Sequence, residues 1–210
     1  MENKLYRYGV FSKNRVEAFS DGIFAIIVTL LILEIKVPHI EHADSAADLL
    51  RAVIALVPKF ISWVISFITI CIVWVNHHRL FEMFKGINII VFWLNVNLLL
   101  WVCFVPFPTA LAGDYPENPL AVAFYGLVMA LIGLAFFFTR LYGLKNKELL
   151  KETVRLDVYK KGVVFALVFG FVLYGIAAAL VLINTYLSLF MYFLIAVYFV
   201  FSFATQKQDP

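Results

Sequence analysis

The chain has 210 residues, of which 63% are hydrophobic and 15% charged, with a mean hydropathy of +0.92 and a formal net charge of +3. A water-soluble domain cannot hide that much apolar surface, so the composition excludes one and specifies an integral membrane protein. A charge this small gives no footing for nucleic-acid binding; its information lies in where it sits along the chain.

About 20 apolar residues cross roughly 30 Å of hydrocarbon at 1.5 Å per residue, and six segments meet that need. The first, over residues 16–35, follows a polar leader and lacks the short core and small-residue cleavage site of a signal peptide, so it is expected to stay in the membrane. Its start reads Arg15-Val-Glu-Ala-Phe19-Ser20-Asp21-Gly22, which puts an arginine, a serine and an aspartate where a membrane helix begins. Ionisable groups at that depth are costly, so they mark a functional or partnered site. Further along, Gly22, Ile26, Thr29 and Leu33 recur at helical spacing and form one stripe on a single face. On its own such a stripe is ordinary membrane-helix packing, and a rotation by a fraction of a turn would present Ile23, Ile27 and Leu30 instead.

The second span is expected over residues 60–76, extended backwards as a continuous helix through Asp48, Leu49 and Leu50, with Pro58 and Lys59 at the membrane boundary. Its far end carries a second polar cluster, Trp74-Val-Asn76-His77-His78-Arg79-Leu-Phe-Glu82. Hydrogen bonds from Ser20 and Asp21 to Trp74, Asn76 or His77 would tie the first two spans together, since these groups are expensive in lipid when unpaired. The third span covers residues 87–107, where Pro106-Phe-Pro108 ends or kinks it by removing amide donors. Asn95 and Asn97 inside it read as helix–helix hydrogen-bonding residues. The fourth covers residues 120–138, the fifth 163–183 and the sixth 186–204, with Asn184 and Thr185 as the turn between the last two. Gly126, Ala130 and Gly133 in the fourth, and Gly162, Ala166 and Gly170 at and within the fifth, have the spacing of close helix packing, read here as contact within one subunit.

Of the 17 basic residues, only Lys36, Arg51 and Lys59 fall on one side of this six-span arrangement. The rest sit in the leader, the loops after the second and fourth spans, and the tail. Retained positive charge is cytoplasmic, so both termini are expected in the cytoplasm. No linker or low-complexity block divides the chain, which reads as one transmembrane domain over residues 1–210. No second Phe-Ser-Asp occurs, so an arrangement needing several copies of the first helix must use several chains.

Site chemistry of other kinds finds little support. Cys71 and Cys103 lie in apolar runs and read as small core residues. His78 and Glu82 have the i, i+4 spacing of metal ligands, but neither an HExxH motif nor a third ligand accompanies them, so no structural metal or cofactor is expected. No nucleophile–base pair or metal triad converges, so a membrane-embedded enzyme or scaffold carries little weight. Asp21 and His77, ionisable at the membrane boundary, leave one alternative open: a proton-coupled transporter. Against it, the paired broken helices common in transporters are missing.

The Arg15-xxx-Phe19-Ser20-Asp21 motif, its continuation Gly-Ile-Phe-Ala-Ile-Ile-Val-Thr-Leu-Leu-Ile-Leu-Glu and the downstream Trp74-Val-Asn-His-His-Arg resemble the transmembrane protein 175 family of potassium channels. The resemblance extends over the six-span layout, and a chain with one such repeat is similar to the bacterial form. It implies a homotetramer in the bacterial plasma membrane, contacting itself, lipid and monovalent cations, with a pore lined by the first helix of each subunit. No re-entrant filter loop is expected, and no Thr-Val-Gly-Tyr-Gly stretch occurs. The resemblance places Ile26, Thr29 and Leu33 on the conduction path beside the permeating potassium ion. Arg15, Phe19, Ser20 and Asp21, with Trp74, Asn76 and His77, would hold the helix in position. Rings of Ile26 and Leu33 would dewet and close such a pore, and a ring of Thr29 hydroxyls would give modest preference for potassium over sodium.

Overall fold

The structure, a computed structural model, describes residues 12–40 and 45–205, with side chains described as far as Phe201. Lys4, Arg7 and Lys207, used above to orient the chain, lie outside the described residues. Among the described residues the chain is all-helical apart from an isolated antiparallel bridge between Phe84 and Leu150.

The helices are α1 (Lys13–Leu30), α2 (Ala46–Ala55), α3 (Val57–Glu82), α4 (Ile89–Phe104), α5 (Pro106–Asp114), α6 (Pro119–Lys145), α7 (Leu156–Phe165), α8 (Leu173–Ala179) and α9 (Thr185–Thr205). A tightened 3-10 turn, Leu31–Glu34, prolongs α1, and a π-helical stretch, Ala166–Val172, joins α7 to α8. Five of these stretches are long and apolar enough to cross a bilayer: Lys13–Glu34, Val57–Glu82, Ile89–Asp114, Pro119–Lys145 and Leu156–Leu182. Helix α9 is apolar as well and follows at once.

Asparagine and serine side chains fix where helices begin. Ser45 accepts from the Asp48 amide, Asn88 from Val91, Asn118 from Leu120 and Ala121, and Asn184 from Tyr186 and Leu187. Each takes up amide donors that have no partner inside the helix. Prolines mark two further boundaries. The helix expected to run unbroken from Asp48 into the second span is two helices, because Pro58 lacks an amide proton and crowds the preceding turn, so the chain breaks at Leu56 and restarts with Pro58 in the first turn of α3. At Pro106 the span continues: Val105 keeps helical angles and α5 carries the third span on to Asp114. Helices α3 and α6 run to Glu82 and Lys145, beyond the hydropathy limits, and the fifth begins at Leu156. Backbone hydrogen bonding does not stop where the apolar run stops.

Helix α6 is the centre of the bundle. Of its most apolar window 61% is buried, against 17–33% in the other four spans. Its glycines explain how neighbours come so close: a Cβ on Gly133 would collide with the Gly170 backbone, and one on Gly126 with Tyr192 and Ala178. The small-residue faces of α6 and the π-helical stretch therefore pack on each other within one chain. Buried hydroxyls bind α3, α5 and α6 together, with Ser66 Oγ 2.7 Å from Thr109 Oγ1 and donating to Tyr125 Oη at 3.3 Å.

Candidate functional site

Helix α1 has two unlike faces. Val16, Ser20, Phe24, Ile27 and the following Leu31 are buried, recurring every three or four residues along the side that packs on α3 and α4. About 140° round the helix at 3.6 residues per turn, Gly22, Ile26, Thr29 and Leu33 are left uncovered by their own chain, with Ile26 57% and Leu33 65% exposed. Of the residues that a turned helix would present, Ile27 is buried and Ile23 partly so, while Leu30 is 40% exposed.

What fixes that rotation is a chain of hydrogen bonds across three helices. The Trp74 indole N–H on α3 donates to Asp21 Oδ1 at 2.8 Å. At the preceding residue, Ser20 Oγ donates to the Val16 carbonyl at 2.9 Å and accepts from Asn95 Nδ2 of α4 at 2.9 Å. The Asn95 amide oxygen lies 2.9 Å from His77 Nε2, and since that oxygen can only accept, the Nε2 nitrogen carries the proton. Ser20, His77 and Asn95 are all buried. The His77 ring is stacked on Phe81 with centroids 4.2 Å apart and tilted against Phe24 of α1 at 5.4 Å. In a low-dielectric interior a partnerless serine, asparagine or imidazole is heavily penalised, so the three lock one another.

The sequence-expected positioning residues divide accordingly. Ser20, Asp21, Trp74 and His77 join the network. Asn76 does not: it donates to its own helix at the Ile72 carbonyl, 3.1 Å away, on a side of α3 that faces α6 and α9. Arg15 and Phe19 are exposed, on the same side of α1 as the uncovered stripe. Asn95, noted in the sequence only as a helix–helix hydrogen-bonding residue, is the hub. The available signal was one of two asparagines in an otherwise apolar span; its partners are 18 and 75 positions away, a separation that periodicity does not register.

Thr29 donates its hydroxyl proton back to its own helix, to the Ala25 and Ile26 carbonyls at 3.0 and 2.8 Å. With the proton used inward, the oxygen offers lone pairs outward. At the other end of the network, Lys13 lies 3.3 Å from Glu17 and 3.7 Å from Glu82, and Lys151 binds Glu82 at 3.0 Å. Glu82 is thus engaged by lysines, and no group of three metal-binding side chains occurs among the described residues.

Residues 15–106 match the protein family described as "Endosomal/lysosomal potassium channel TMEM175". A potassium channel of Chamaesiphon minutus is 37% identical over 191 residues, which cover 88% of this chain and 92% of that protein. A crystal structure of a lysosomal potassium-selective channel TMEM175 homolog from the same organism superposes with a TM-score of 0.79 at 33% identity, over 90% of this chain and 97% of that one. A zebrafish protein named endosomal/lysosomal proton channel TMEM175 is 24% identical over 84% of this chain, which spans 36% of that protein.

Proposed function

The chain belongs to the TMEM175 family, whose members are ion channels and not enzymes, and from that premise we propose that it is a potassium-permeable cation channel. Four copies surround an axis lined by α1, in a bacterial plasma membrane crossed six times, α9 being the sixth crossing, with both termini cytoplasmic. The observation that carries this reading is the division of α1: one face locked to α3 and α4 through Asp21, Ser20, Asn95 and His77, the other bare. A helix held so firmly in rotation, with an uncovered stripe running its length, is suited to lining a shared axis.

In that assembly Ile26 and Leu33 form apolar rings that dewet when narrow, so constriction and gating reside in the same residues. Thr29, between them, presents acceptor oxygens that replace part of a cation's hydration. Neutral oxygens favour the more easily dehydrated potassium over sodium, giving a modest preference. Arg15 stands on the same face at the start of the helix and sets the potential there. Asp21 and His77, which a proton-coupled transporter would need free, are engaged in holding α1.

The test is potassium efflux from loaded liposomes containing purified protein, with subunit number read by native mass spectrometry. Potassium efflux from a species of four chains is expected. Tetramers that pass no monovalent cation would overturn the reading, and saturable proton-driven uptake would favour the transporter.

A further inference from the structure

Away from α1, an open cleft lies between α3, α6, the π-helical stretch and α9. Its two adjoining lobes, of about 60 Å³ each, share Asn76, Gly133, Phe136, Gly170 and Phe199, and no residue of α1 lines either one. The cleft has a structural cause. Gly133 and Gly170, which lack side chains, bring the backbones of α6 and the π-helical stretch into contact and leave room beside them. Phe165, in T-shaped contact with Phe199 at 5.6 Å, makes an apolar wall.

One cation faces this apolar slot. Arg140 lines the first lobe and forms no ion pair with a carboxylate among the described residues. Its guanidinium rests against Gly162, where a Cβ would stand 2.8 Å from Nη1. The Tyr159 hydroxyl, within electrostatic reach of Arg140, is buried with no hydrogen-bond partner among the described residues. Asn76 donates one amide proton to Ile72 and keeps the other. Exposed Lys145, Lys160 and Lys161 sit at the same end of the bundle. An unpaired guanidinium at the edge of a membrane is costly without a counter-charge, and basic pockets between membrane helices take anionic headgroups.

We propose that this cleft binds one anionic phospholipid per chain, its phosphate oxyanion on Arg140 with the spare Asn76 N–H as second donor and its acyl chain along Phe165 and Phe199. The inference rests on the chain being embedded in a membrane and not on what it conducts, so loss of lipid binding and loss of ion flux are separable results. Free phosphate shares the oxyanion chemistry but has no use for the aromatic wall.

The experiment is native mass spectrometry of the purified, detergent-released protein titrated with phosphatidylglycerol, with phosphatidylcholine and with inorganic phosphate. Phosphatidylglycerol adducts up to one per chain are expected, with at least tenfold weaker binding in Arg140→Gln and recovery in Arg140→Lys. Equal retention by Arg140→Gln overturns the site, and inorganic phosphate displacing phosphatidylglycerol at equal concentration overturns the lipid assignment. If Arg140→Gln yields no folded protein, the unaltered chain decides: equal retention of phosphatidylcholine and phosphatidylglycerol overturns the proposal.

Discussion

Thr29 donates its proton to its own helix and shows the stripe only an acceptor. Thr29→Val keeps the shape and removes that acceptor, so the potassium-to-sodium permeability ratio, read from reversal potentials under bi-ionic conditions, should fall about 2–10-fold, the equivalent of roughly one hydrogen bond. An unchanged ratio would take Thr29 out of selectivity. Asn95 is the other decisive residue. Asn95→Ala leaves the His77 N–H unpaired in the interior and removes the bond that Ser20 accepts, which should cost about 1–2 kcal/mol and lower the thermal midpoint in detergent by a few degrees. Asn97, which is exposed on the same helix, serves as the control: Asn97→Ala should leave the midpoint where it was. The four motif residues Arg15, Phe19, Ser20 and Asp21 were legible in the sequence as a group. Their division into two that bond neighbouring helices and two that do not was not, because identity and spacing say nothing of what lies across from each side chain.

At the scale of elements, proline and glycine govern the bundle. Pro58 separates α2 from α3, and Pro106 interrupts the third span without ending it. The difference is positional: beyond Pro106 the apolar helix has α3 and α6 to pack on, whereas α2 buries none of its residues in the chain. Gly133 offers a sharp test of the α6 interface. Gly133→Leu would drive a side chain into the Gly170 backbone, costing about 1–3 kcal/mol or more from overpacking, and should lower the thermal midpoint and the folded yield. Gly175→Ala, where a Cβ meets nothing within 4 Å, should be tolerated or slightly stabilising, as alanine is the better helix former. Equal behaviour of the two variants would mean that the glycine contact does not hold α6 to the fifth span.

For the whole molecule, orientation is the open prediction that charge placement makes. In a chain whose Cys71 and Cys103 are replaced by alanine, a cysteine at Glu117 should react with a membrane-impermeant maleimide in intact cells, and one at Lys147 only after lysis. The reverse pattern would invert the topology. The sequence by itself determined that the chain is an all-helical membrane protein, where most of its long apolar helices lie, and that it resembles a channel family. Those properties rest on local quantities: the length of an apolar run, the missing amide of proline, residue identities at fixed spacing. Only the tertiary structure decided the rotation of α1, the role of Asn95 as hub, the dispersal of Asn76 to a different face of α3, and the cleft beside Arg140. Each depends on which side chains from distant segments meet in a close-packed interior. A hydrogen bond between residues 75 positions apart stabilises the fold only once α1 and α4 are side by side, and nothing in the local pattern of either helix specifies that meeting.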